Sequence, residues 1–276
     1  MNHNHGQNGH PQWEPTGQGG DWQQPQPQPQ PQRRQQRRSK RSAVRPGEVA
    51  AASVDLEARL GFLRRTYSWL LGAVFMCVTM MVMFWHSPFF EPVILFMANT
   101  SWLLVLALFI GFSWMGDIMA HRVDSKALQF IGLSVVVGAY AIIFSYLFVV
   151  SGVMVEGYGV DGSVLFHALL LTLATFSILT SIVFITKQDF SILRTGLIVM
   201  TFLALGAIVA GALFGFTLGL GFAVVMVGFS SALIIYQTSN ILHHYPPNRH
   251  MGAAVALFSS VGMLFWYLFM ILGMDG

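Results

Sequence analysis

The sequence predicts an all-α protein, a polytopic bundle of seven transmembrane helices behind a disordered amino-terminal tail. Three observations carry that expectation. Hydrophobic residues make up 54% of the chain and charged residues only 10%. Soluble domains carry about 25% charged residues, so most of this chain does not meet water. After Tyr67 the apolar residues gather into runs, each matching the roughly 20 residues needed to cross a bilayer core. The basic residues, finally, fall in every second connection between those runs.

The chain divides into a tail (1–52), a juxtamembrane segment (53–66) and the membrane domain (67–276). The tail opens on a His-, Gln- and Gly-rich stretch with no apolar core. It is not a cleavable signal peptide, and the first span is expected to act as the insertion signal. The alternating Gln-Pro run from Gln24 to Gln32 forms neither helix nor sheet ladder and is expected to be extended and solvated. His3, His5 and His10 are read as part of that polar tract rather than as a metal site. A basic cluster follows: Arg33, Arg34, Arg37, Arg38, Lys40, Arg41 and Arg45. It lacks interleaved aromatics and a folded module, which disfavours nucleic acid. Beside a membrane, each such residue near an anionic lipid surface is worth about 1 kcal/mol, so lipid headgroups are the expected partner.

Between Ser53 and Arg65, Leu56, Leu60 and Leu63 recur at helical spacing with Glu57, Arg59 and Arg64 on other faces. That pattern predicts a short amphipathic helix lying at the interface. Seven apolar runs come next, at 67–85, 93–115, 127–150, 164–186, 195–215, 220–241 and 252–273. Membrane strands would alternate their faces over about ten residues, and backbone in lipid must satisfy its own hydrogen bonds, so these runs are helices. Phe216 to Gly219 is so short a link that the fifth and sixth runs must form an antiparallel hairpin. Within the fifth, Ala207, Gly211 and Gly215 recur every fourth residue, a small-residue face for close helix approach. Gly132, Gly138, Gly228 and Gly252 do similar work or reflect the general enrichment of glycine in membrane helices. Cys77, the single cysteine, lies inside the first run and reads as a small hydrophobe.

With the tail in the cytoplasm, the second, fourth and sixth connections hold Arg122 and Lys126, Lys187 and Arg194, and Arg249. The other connections and the carboxyl tail hold none, so all 15 Lys and Arg fall on one side. That is the positive-inside bias, and it predicts a cytoplasmic amino terminus and an outside carboxyl terminus. An inner bacterial membrane is the expected location, with a eukaryotic endomembrane as the alternative.

Polar groups inside a span are functional candidates by default. The cluster Gln237, Thr238, Ser239 and Asn240 lies in the sixth run, either as such a site or as the polar end of the helix. Asp117 and His121 share a helical face if the second helix continues. They form either a proton- or cation-handling pair or an interfacial cap paired to Arg122 or Lys126. His243, His244 and His250 crowd the last basic turn, where they could titrate near neutrality. His167, Glu91, Glu156 and Asp161 are expected at or beyond the interface. No nucleotide loop, HExxH or GxSxG motif occurs, and no paired acids or Ser-His set sits at membrane depth. A non-enzymatic protein with no cofactor and no metal site is expected. No internal repeat supports a transporter.

Four stretches carry a family resemblance: FLRRTY (62–67), SKALQF (125–130), TKQDFS (186–191, with Thr186, Lys187 and Asp189) and IIYQTSNIL (234–242). Their order and spacing resemble the Bax inhibitor-1 family, in its bacterial YccA-like branch, from Phe62 to Leu272. The resemblance implies a seven-helix bundle with six helices around the last, and association with calcium or proton leak, with restraint of cell death, or with modulation of a membrane protease. It also implies two buried aspartates on the sixth and seventh spans that share a proton and gate a pore. Gln237 and Ser260 occupy those positions here, and neither titrates in the physiological range. The expected role is therefore a regulator of membrane homeostasis or of a membrane protease through helix contacts. A calcium or proton leak channel is the alternative, lined by Gln237, Thr238, Asn240 and Ser260 with Asp117 and His121 at its mouth.

Overall fold

The computed structural model describes residues 56–122, 125–150, 152, 162–246 and 248–274, all of which fall in one compact unit. The Gln-Pro tract and the basic cluster from Arg33 to Arg45 lie outside the described residues, as do Glu156 and Asp161. The described residues form eight α-helices and no strand. They are α1 (Leu56–Trp85), α2 (Phe90–Asn99), α3 (Trp102–Ala120), α4 (Lys126–Val150), α5 (Gly162–Thr186), α6 (Leu193–Phe214), α7 (Leu220–His243) and α8 (His250–Met274). All but α2 are long and apolar enough to cross a membrane, giving seven spans. The chain is an integral membrane protein.

Two boundaries differ from the sequence reading. The expected interfacial helix before the first span is not separate, because α1 runs unbroken from Leu56 to Trp85. Of the leucine series, Leu60 is 57% exposed and Leu63 only partly buried, while Phe62, Thr66, Leu70, Ala73 and Cys77 form the buried stripe at helical spacing. The second apolar run, expected over 93–115, is broken at Thr100, whose backbone turns extended with ψ 151°. The Asn99 side chain donates back to the Leu95 carbonyl oxygen at 2.8 Å, and the span proper begins at Trp102. At about 1.5 Å per residue, the ten-residue α2 is far too short to cross.

α8 is the hub, packing against α1, α3, α4, α5 and α7. Its seam with α4 is aromatic: Tyr140 meets Phe258 at 5.3 Å between ring centroids, Phe144 meets Phe265 at 5.3 Å, and Phe148 meets Phe269 at 5.5 Å. The α4 members recur every fourth residue, so one ridge of rings fits a groove of the other helix. α3 and α4 approach so closely that a Cβ on Gly132 would overlap the Ala120 amide nitrogen, and one on Gly116 would lie 2.7 Å from Val136 Cγ2. Lipid offers no hydrophobic drive to association, so such backbone approach is what holds neighbouring spans together. α6 leans on α7 and, more lightly, on α3. Gly211 is buried, and Gly215 closes α6 in the left-handed conformation (φ 74°), its N–H donating to the Gly211 oxygen at 2.9 Å.

Candidate functional site at the basic end of the bundle

Because each span crosses once, the connections α3–α4, α5–α6 and α7–α8 lie at the same end as the start of α1. All Lys and Arg among the described residues lie there. The turn between α7 and α8, from His244 to Arg249, is gripped from two sides.

On one side stands His121, which ends α3. Its Nδ1 lies 2.8 Å from the Asp117 carbonyl oxygen and 3.3 Å from the Asp117 carboxylate. Its Nε2 lies 3.0 Å from the Tyr245 hydroxyl, 124 positions along the chain. α8 gives way to the ring, since a Cβ on Gly252 would sit 2.8 Å from His121 Cδ2. Gln129 of α4, buried, donates to the Arg122 carbonyl oxygen at 2.7 Å and so pins the chain just beyond the histidine. Burial alone would lower the imidazole pKa. The hydrogen bond and charge of Asp117 outweigh that and hold it above its ordinary 6.5. Burial, then the Asp117 charge, pushes the Tyr245 hydroxyl well above its usual range, so it stays neutral. An imidazolium donates from both nitrogens, to Asp117 and to Tyr245. A neutral ring keeps both contacts if the tyrosine turns donor. Asp117 and His121 are thus brought together, and no ion pair to Arg122 or Lys126 forms among the described residues.

On the other side lies the α5–α6 connection. The Phe190 N–H donates to Ser239 Oγ at 2.9 Å, and the Ser239 hydroxyl donates to the Gln188 oxygen at 3.3 Å. Asp189 reaches His244 Nε2 at 3.4 Å while its other oxygen accepts the Ser191 N–H at 2.9 Å. The Ser191 N–H, and then the nearby histidines, hold this exposed carboxyl below its usual range. Lys187 ends α5 with a positive φ of 50°, and exposed Thr186 donates back to Ile182.

The remaining candidates do not converge. Ser260 is buried and donates to its own Ala256 oxygen at 3.0 Å, and no hydrogen bond joins it to the half-buried Gln237. Thr238 is fully buried, and its hydroxyl and that of Thr180 face the Tyr67 hydroxyl. Asn240 contributes its backbone oxygen, which accepts the N–H groups of His244 and Tyr245. His243 Nδ1 lies 3.0 Å from the Ser239 oxygen. Among the described residues, no three His, Cys, Asp or Glu side chains gather as a metal site would require. Ser239 stood in the polar cluster read from the sequence, but its partners did not show there, and Tyr245 had no signal, because each depends on a partner distant in the chain.

A family profile described as "Inhibitor of apoptosis-promoting Bax1" matches residues 59–276. The chain belongs to the Bax inhibitor-1 family. Among curated proteins, it is similar to the uncharacterized protein PA2604 of Pseudomonas aeruginosa, with 36% identity over 116 residues. That match covers 42% of this chain and 52% of the relative, so it spans about half of each. No solved structure matches. In this Bax inhibitor-1 family chain, the profile starts inside α1 and takes in every connection that grips the α7–α8 turn.

Proposed function

We propose that the chain is a non-enzymatic regulator embedded in a bacterial inner membrane. It acts through helix contacts with other membrane proteins, such as a membrane protease or components of a stress response. The basic end faces the cytoplasm, as the positive-inside bias requires, and the carboxyl terminus lies outside. The basic tail adds contact with anionic headgroups. One observation carries this reading. Among the described residues no Asp, Glu, Lys, Arg or His is buried, and the buried polar set consists of Thr, Ser and Gln only. Most of those hydroxyls are engaged with their own helix, as Thr66 with Phe62, Ser145 with Ala141, Thr172 with Ala168 and Ser260 with Ala256. Hydroxyls bonded to the carbonyl four residues back have their one donor engaged within their own helix, and an ionised group at membrane depth is costly unless it is paired or meets water.

The test is photo-crosslinking in intact membranes from a photoreactive residue at the lipid-facing positions Trp114, Ile185 and Phe202, which are 69%, 79% and 69% exposed. A regulator gives discrete protein adducts from one face of the bundle. Lipid adducts alone from every face contradict it.

The Asp117–His121–Tyr245 chain favours a second reading, a proton or calcium leak gated at the basic end. In it Gln237, Thr238, Asn240 and Ser260 line the path, and ion flux in vesicles separates it from the first.

A further inference from the structure

At the end opposite the basic one lies a cavity of about 700 Å³ that has no place in either reading of function. It is bounded by α3, α4, α6, α7 and α8, and by the link at Phe216 and Leu218. Its volume is within the range of pockets that hold a small organic ligand, about 300–1,000 Å³.

Its chemistry excludes water and ions. No charged side chain lines it. On its walls Tyr140 donates to the Ser259 oxygen at 3.1 Å and Thr201 to the Leu197 oxygen at 2.8 Å, which leaves Trp102, Trp266 and Tyr267 as the other lining side chains with a polar N–H or O–H. A mostly apolar interior with few polar partners is a poor site for ordered water. Its rim is aromatic and amphipathic. Trp102 and Trp266 stack there at 6.2 Å with Tyr267 also lining the wall, the residue types that sit at headgroup level in membranes. Its depth is about a leaflet or slightly more: Phe229 lies about 14 Å in from Leu220, and Thr201 about 20 Å in from Phe214, at 1.5 Å per residue in a core about 30 Å thick. On the side of α6, the wall is a helix that leans mainly on α7.

We propose that this cavity binds one acyl tail of a glycerophospholipid drawn from the leaflet at the non-basic end, with the ester region at the Trp102–Trp266 rim. The depth, the aromatic rim and the uncharged, mostly apolar lining each match a tail and not a hydrated solute. Binding of a tail does not depend on whether the chain regulates or leaks.

The full chain is reconstituted in phosphatidylethanolamine–phosphatidylglycerol vesicles carrying a trace of phosphatidylethanolamine with a diazirine on one acyl chain. After photolysis the adducts are mapped by mass spectrometry. Adducts are expected on Ile208 and Met263, which line the cavity, as well as on lipid-facing Phe202 and Leu203. Filling the cavity with Ala204→Trp, or with Ala212→Phe should the first not fold, should lower the Ile208 and Met263 adducts roughly tenfold. Those on Phe202 should be unchanged. Adducts that fall on Phe202 and Leu203 alone, or that ignore both fillers, overturn the proposal. So does rapid labelling of Ile208→Cys by a water-borne, membrane-impermeant thiol reagent, since that places water in the cavity.

Discussion

The imidazole of His121 and the hydroxyl of Tyr245 meet at 3.0 Å across 124 positions of sequence. That contact ties the end of α3 to the turn between α7 and α8. With the Asp189–His244 contact opposite, it anchors the turn from two sides.

The His121 contact should depend on pH in a stated direction. Its folded pKa lies above the ordinary 6.5, so its stabilisation is complete below that value and is lost as pH rises through the folded pKa. Asp117→Asn removes the charge responsible while keeping the shape. The Asp117 side chain is 46% exposed, so screening limits the effect to about 1 kcal/mol or less. Thermal unfolding in detergent should show the gap between wild type and variant widest near pH 6 and narrowing toward pH 9. A gap that widens with pH would contradict the assignment.

Tyr245→Phe should cost about 1 kcal/mol, the net worth of one such hydrogen bond, and should be read as a lower unfolding midpoint.

Ser239 holds two backbone groups of the α5–α6 connection. Ser239→Ala leaves the Phe190 N–H without its acceptor, at a cost of about 1–3 kcal/mol. Trypsin should then cut after Lys187 faster than in wild type. Thr186→Val is the control: that hydroxyl is exposed and bonds only its own helix, so the cleavage rate should not move.

The α3–α4 contact tolerates no added side chain at Gly132, where a Cβ would overlap Ala120 backbone. Gly132→Val should destabilise by about 3 kcal/mol or more, the upper end for overpacking. Gly111→Ala, with open space around it, should instead be neutral or gain up to about 1 kcal/mol from helix propensity. Equal effects from both would mean the helices do not approach as described.

Lys187 sits at φ 50°, a conformation that favours glycine. Lys187→Gly should raise the midpoint by about 2–4 °C per kcal/mol gained.

The spans were legible because crossing the bilayer demands length and hydropathy, which any window of sequence exposes. The break at Thr100 was not, because two apolar runs on either side of three polar residues average to one run. Nor was the buried stripe of α1. Lipid and protein interior are both apolar, so the Leu56–Leu60–Leu63 pattern says nothing about which face meets α4 and α8. The pairing of Asp117 with His121 was readable from a four-residue spacing on a continuing helix. Its completion by Tyr245 was not, since nothing local to Tyr245 points to α3. Gly132 and Gly252 stood among glycines of equal appearance, and only the backbone approach to Ala120 and the His121 ring sets them apart from Gly228, which faces open space.

The most direct measurement is calcium flux through the purified full chain in sealed vesicles, followed with an internal dye between pH 6 and pH 8. An interior in which no Asp, Glu, Lys, Arg or His is fully buried among the described residues predicts a rate no higher than that of protein-free vesicles at every pH. A saturable flux that changes with pH and falls in Asp117→Asn would contradict the regulator reading and establish the leak.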